Sequence, residues 1–280
     1  MYVKLFPSAK DKTGSMNNTA TAWWGTFKLQ EKEVRFWEIG PLLLGIERFS
    51  QEWHIASNSS GSREKFDIKV AMTDIPSYLR EKLEFRRHVF KRTDPSITLT
   101  PMLADRPQVT RAEVPFYLPP NEQVTIYVSS PVWVQVKAND NKIAIDEIPT
   151  LRLSDTWYGP NTREGELCYS SSTFCRTNLD ELTVKPHRII SPVIIQNNAK
   201  DSLLLDRLSL PMPYLSVFAD ENNNLWTEDI LVKNEPHQKH TVRHNKGAPS
   251  IAPRAKLIGS PRLNLKASNL ITLFYSLLSE

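Results

Sequence analysis

Residues 23–57, WWGTFKLQEKEVRFWEIGPLLLGIERFSQEWHIAS, decide the fold class. Short apolar runs separated by turn residues fill this stretch. Trp24, Thr26, Phe27 and Leu29 begin it, and Val34–Ile39, Leu42–Arg48 and Glu52–Ala56 follow, with Gly40-Pro41 as a turn. Runs of this length, rich in aromatic and β-branched residues, favour strands over a helix. The stretch therefore reads as a β-meander.

The same signature continues outward. Residues 58–65 are a polar loop, and Phe66, Ile68 and Val70 alternate as in a half-buried strand. Leu83, Phe85, Arg87 and Val89 alternate before the turn at Thr93–Ser96. Ile97 and Leu99 continue beyond it, which predicts a hairpin; a helix over 77–92 competes. Residues 104–122 are proline-rich with one short strand at Val114–Leu118, and Pro119-Pro120-Asn121 marks a domain boundary. Beyond it, Val124–Val128 and Val132–Val136 are strong strands joined at Ser129-Ser130-Pro131, and Ile143–Ile148 follows. Thr177–Leu182 reads as a short helix or turn. A second β run occupies 188–196, 203–210, 215–219 and 225–232.

The polar, basic segment 235–262 is expected to be a long exposed loop. In the last segment the period changes. Ser268 caps an amphipathic helix over 268–279, with Leu270, Leu273, Phe274, Leu277 and Leu278 on one face. The expectation is a mainly β protein of two antiparallel β-sandwich-like domains, 21–120 and 121–280, with a C-terminal amphipathic helix. Residues 1–20 are a flexible extension, and Met16 is an alternative start.

Composition agrees with this and excludes several classes. Twenty prolines against 9 glycines suit strand edges and turns rather than helices. A net charge of +4, from 35 basic and 31 acidic residues, is too mild for a dedicated nucleic-acid binder. The runs Arg86-Arg87-His88, Lys91-Arg92 and Lys239–Lys246 read as solvated faces. No stretch reaches the roughly 20 apolar residues that cross a bilayer, and residues 1–25 lack an apolar signal core. The expected location is cytoplasmic. Phosphate-cradling, zincin, nucleophile-elbow and calcium-loop motifs are absent, so no cofactor or metal is expected.

The chemically richest stretch is residues 151–170, LRLSDTWYGPNTREGELCYS. It places Asp155, Glu164 and Glu166 near Trp157 and Tyr158. Aromatic platforms beside paired carboxylates suit sugar binding or glycoside chemistry. The same residues also suit a structural connection shaped by Gly159-Pro160 and Gly165 and anchored by Trp157, which is the favoured reading. Cys168 and Cys175 read as structural thiols, with Cys168 as a cryptic nucleophile in the minority reading and His187 its nearest histidine. His237, His240 and His244 form a histidine cluster, but the interleaved Lys239, Arg243 and Lys246 would repel a metal ion. Most of the seven tryptophans build cores, and Trp23-Trp24 is a possible exposed binding pair.

Several phrases carry a resemblance. Trp37–Leu42 with Glu52–Ala56, Leu153–Gly159 with Gly165–Tyr169, and Leu208–Pro211 with Leu225–Thr227 resemble the DUF432 family, a prokaryotic family of unknown function. The likeness runs from about residue 20 to the end and implies no activity, cofactor or catalytic residue. Genes of this family lie beside small mechanosensitive-channel genes, which implies a protein partner of that type. The expected function is a non-enzymatic interaction or regulatory protein acting on a membrane channel from the cytosolic side. The alternative is a carbohydrate-binding or carbohydrate-active protein using Asp155, Trp157, Tyr158, Glu164 and Glu166.

Overall fold

Alternation becomes a ladder in the first meander. The computed structural model describes residues 22–59, 68–71, 84–138, 140, 142–159, 163–236 and 239–264. The chain enters through β1 (Gly25–Lys28). Then β2 (Val34–Ile39), β3 (Leu42–Arg48) and β4 (Glu52–Asn58) pair antiparallel in succession. The outer places in this five-stranded sheet go to β5 (Ile68–Ala71), beside β2, and β6 (Glu84–Val89), beside β4. Trp37, Ile39, Leu44, Ile46, Trp53 and Ile55 share one face by the register and are fully buried. Each such side chain stabilises the fold by about 1.5–3 kcal/mol through removal of apolar surface from water.

Next come β7 (Ser96–Met102), β8 (Gln108–Leu118), β9 (Gln123–Pro131), β10 (Trp133–Ala138) and β11 (Ile143–Pro149). A second sheet has the order β1-β7-β10-β11, antiparallel throughout. Of the competing readings over 77–92, residues 84–89 form a strand, yet β6 pairs with β4 and not with β7. Residues 77–83 lie outside the described residues.

Ser129-Ser130-Pro131, expected as the joint between two strands, is instead the end of β9, paired with Arg188–Ile190, and the chain changes sheets at Val132. The Val132 N–H donates to the His187 carbonyl (3.0 Å) and its own carbonyl accepts from the Thr150 N–H (2.8 Å), so the backbone between β9 and β10 is bonded to other segments.

The rest of the chain supplies β12 (Ser154–Tyr158), β13 (Glu166–Thr173), β14 (Arg188–Asn197), β15 (Leu203–Leu210), β16 (Val217–Ala219), β17 (Leu225–Trp226), β18 (Ile230–Glu235), β19 (Lys239–His244) and β20 (Lys256–Gly259). The third sheet is β12-β13-β8-β15, in which β13 runs parallel to β8. In the fourth, β9 lies antiparallel along β14, which also pairs in parallel with β17 and β18; β19 extends it at one end and β16 with β20 at the other.

The protein is mainly β, and among the described residues antiparallel pairing dominates and three pairs run parallel. Among the described residues the helical content is two 3-10 turns, Leu179–Glu181 and Met212–Tyr214. None of their helices is long and apolar enough to cross a membrane. The expected terminal helix over 268–279 and the extension 1–20 lie outside the described residues.

Segment 235–262, expected as a loop, contains β19 and β20. Val242 is buried there between polar neighbours, and as the single apolar residue of β19 it kept the strand signal weak. Residue 120 falls in the turn between β8 and β9, and pairing crosses it where β7 meets β10 and where β8 meets β13 and β15. One apolar cluster, from Trp23 to Val242, draws on all four sheets.

Candidate functional site

The 151–170 stretch folds into the β12–β13 hairpin, with β12 as the outer strand of its sheet. In register, Asp155 stands opposite Tyr169, Trp157 opposite Leu167, and Tyr158 opposite Glu166. Directly opposed residues share a face and successive residues alternate. Asp155 and Trp157 therefore lie on one face, and Tyr158 and Glu166 on the other. Glu164 sits in the exposed connection. The carboxylates of Asp155 and Glu166 point away from each other, which does not give the two facing acids that glycoside cleavage requires.

Each face has its own electrostatics. Asp155 accepts from the Arg106 guanidinium at 3.3 Å, and Arg106 lies 5.5 Å over the Tyr169 ring. The Tyr169 hydroxyl donates to Asp105 (2.9 Å). Burial, reinforced by that bond, pushes the phenol up to about 12. On the other face, burial raises Glu166. Trp157 is 48% exposed, yet its indole rests on the connection. A Cβ built on Gly165 would lie 2.2 Å from the Trp157 Nε1, and one on Gly159, at φ +151°, would lie 2.2 Å from the Gly165 Cα. Only glycines let the two ends of this connection meet beneath the ring.

The other sequence candidates separate. Cys168 and Cys175 are free thiols. Burial, with Glu166 nearby, pushes Cys168 up to about 12, and burial pushes Cys175 up to about 11. A nucleophile needs the thiolate, and the Cys168 thiol instead faces the Glu166 carbonyl at 3.7 Å. His187 is buried against Gly40. His240 and His244 fall on β19, burial lowers His244, and His237 lies outside the described residues. Among the described residues no group of three metal-capable side chains converges. Trp23, which the alternative reading placed in an exposed pair, is fully buried and donates to the Pro186 carbonyl (3.0 Å); Trp24 meets it edge-on at 5.4 Å.

The second sheet carries a cleft of about 650 Å³ that residue types alone did not single out. Trp24, Thr100, Gln135, Lys137 and Glu147 line it beneath the segment 258–262. Gln135 donates to Glu147 at 2.6 Å. Arg262 donates to the other Glu147 oxygen and to the Leu103 carbonyl (2.9 Å), and lies 5.5 Å over the Trp133 ring. The signal in sequence was the alternation of Gln135 and Lys137 with Val134, Val136 and Ala138, which predicts one polar face. Arg262 is distant in sequence and had no such signal.

Residues 23–278 match the model of a protein family described as a protein of unknown function (DUF432). No curated protein and no solved structure matches the chain.

Proposed function

The chain belongs to DUF432, a protein family of unknown function, and from that premise we propose that it is a non-enzymatic interaction protein whose contact face is the β12–β13 hairpin. The observation that carries this reading is a pair of large apolar side chains side by side on an outer hairpin. Trp157 and Leu167 are opposed in register and 48% and 43% exposed, and Phe174, just past the end of β13, is 72% exposed. The Asp155–Arg106 pair supplies a polar rim to this apolar centre. Among the described residues β12 pairs with β13 alone, and an outer strand of this kind can take an added strand.

In this proposal the sheets form a sandwich-like scaffold, the protein works in the cytoplasm, and its partner is a membrane channel of the mechanosensitive type, met from the cytosolic side. Co-purification from native membranes tests it. Trp157→Ala with Leu167→Asp should reduce the recovered partner about tenfold or more, since aromatic anchors dominate such contacts. A monomer that recovers no partner at any salt concentration rejects the proposal.

A second reading, carbohydrate binding, rests on the exposed Trp157 ring with Asp155 on its face. A glycan array decides it: sugar binding that survives Trp157→Ala removes this assignment.

A further inference from the structure

At the root of the same hairpin lies a separate cavity of about 390 Å³ whose charged side chains have one sign. It forms where three parts of the chain meet: the Gly40-Pro41 turn of the first meander, the approach to β12 with the serines of β13, and the turn 185–188 that leads into β14. Its ionisable lining is Arg152, Lys185, His187 and Arg188, and no carboxylate is among the described residues that line it.

The cationic turn is held rigidly. The Trp23 indole donates to the Pro186 carbonyl (3.0 Å), and the Val132 N–H (3.0 Å) and the Thr150 hydroxyl (3.3 Å) donate to the His187 carbonyl. The Arg188 N–H closes the turn on the Lys185 carbonyl (3.0 Å). Gly40, at φ +56°, lets the His187 ring approach so closely that a Cβ there would lie 2.2 Å from its Nδ1. His187 is 3% exposed, and that Nδ1 has no hydrogen-bond partner.

Arg188 is the central anomaly. Its guanidinium is partly buried and donates only to neutral oxygens, the Ser129 hydroxyl (2.7 Å) and the Ser129 carbonyl. Among the described residues no carboxylate pairs with it. Taking a cation out of water is costly unless an opposite charge accompanies it. Desolvation accordingly pushes Arg188 down to about 10. His187 senses the same field: burial first, then Arg188 and Lys185, lower it to about 4. An anion in this cavity would supply the opposite charge.

We propose that this cavity binds a phosphate monoester, with its dianionic phosphoryl group held by Arg152, Lys185 and Arg188 and by the hydroxyls of Ser170 and Ser172. Guanidinium forks match phosphoryl oxygens in geometry as well as charge, and hydroxyls fill the remaining acceptor positions. The volume lies in the range of small-molecule pockets, about 300–1,000 Å³, so the site accommodates an organic portion as well as the phosphoryl group. Both a soluble ester and the headgroup of phosphatidic acid offer this chemistry. The proposal stands independently of the hairpin contact face, because no residue of the Trp157–Leu167 pair lines the cavity.

Isothermal titration of the full chain with phenyl phosphate, with phenol as the neutral control, tests the site. A parallel flotation assay uses vesicles of phosphatidylcholine and phosphatidic acid in equal parts. The expected result is saturable binding of phenyl phosphate, none of phenol, and a loss of about tenfold or more in Arg152→Glu, whose exposed side chain leaves the fold intact. Arg188→Gln should lose binding further, and circular dichroism checks that it is folded. Vesicle binding that Arg152→Glu abolishes, without binding of phenyl phosphate, assigns the same site to the lipid headgroup. Equal binding by wild type and Arg152→Glu, equal binding of phenol, or no binding of either phosphate probe overturns the proposal.

Discussion

The first meander and the region from β8 to β19 use the same alternating pattern and reach opposite kinds of topology. In Val34–Asn58 the neighbours in the sheet are neighbours in sequence, and the inward face is hydrocarbon and indole. From β8 onward, local hairpins such as β12–β13 and β18–β19 are joined to distant partners. β8 lies between β13 and β15, and β9 lies along β14. Polar groups are buried here.

The Gln108 amide nitrogen shares its two N–H groups among Thr110, Ser130 and Ser171, at 2.9–3.1 Å. Asn197, fully buried, shares its two amide N–H groups among the carbonyls of Leu118 and Asp201 (2.9 Å) and Pro119 (3.1 Å), and its oxygen accepts from Asn234 at 2.8 Å. Apolar alternation says which face is inward but does not distinguish one strand partner from another. A buried amide does, because only one arrangement satisfies it. The meander needs no such device, because its short turns already choose the partner.

The largest effect should come from the hydrocarbon side of the comparison. Trp53→Ala removes a fully buried indole from the meander and should destabilise the protein by about 3–5 kcal/mol in denaturant unfolding. A loss below about 1 kcal/mol would mean that the meander is not part of the common core.

The seam between the two regions should be pH-sensitive, because His187 of one rests on Gly40 of the other. An unfolded histidine titrates near 6.5, whereas burial, Arg188 and Lys185 hold His187 at about 4. Between those values the unfolded chain binds a proton that the folded chain does not. Stability therefore falls as pH drops from 6.5 to 4 and levels off below, by up to about 3 kcal/mol. The slope should be lost in His187→Gln, and a slope that persists there would move the effect to another group.

On the polar side, Asn197→Ala should cost about 2 kcal/mol, because carbonyls from the 118–119 and 201 segments lose their donor together. A neutral result would show that β8, β14 and β18 find their register without it. The smallest effect is local. Gly165→Ala should displace the Trp157 indole at about 1 kcal/mol, read as a shift in tryptophan fluorescence.

Legibility follows the same division. The meander strands could be read almost to the residue because their turns are short. Gly159 and Gly165 could be read as turn formers because a connection between strands that carries glycines has few uses. The separation of Asp155 from Glu166 was not legible, since it depends on a register in which Tyr158 and not Asp155 faces Glu166. Nor was the cationic cavity. Arg152 and Arg188 are far apart in the chain and meet only because β14 leaves its turn beside the hairpin root. The strand at β19 was hidden by its two histidines, Lys239 and Arg243, with Val242 as the one buried apolar residue in it.

Residue order alone settles that this is a β protein and which side of each strand is apolar, because the pleat has a period of two and each strand carries its own pattern. It also marks turns such as Gly40-Pro41, because glycine reaches φ > 0 without strain and proline fixes φ. Strand partners, the parallel runs of β13 on β8 and β18 on β14, and the meeting of Arg152 with Arg188 belong to the tertiary structure. They are set by long-range packing and by the hydrogen-bond demands of buried polar groups, and no local window of sequence contains both sides of such a contact.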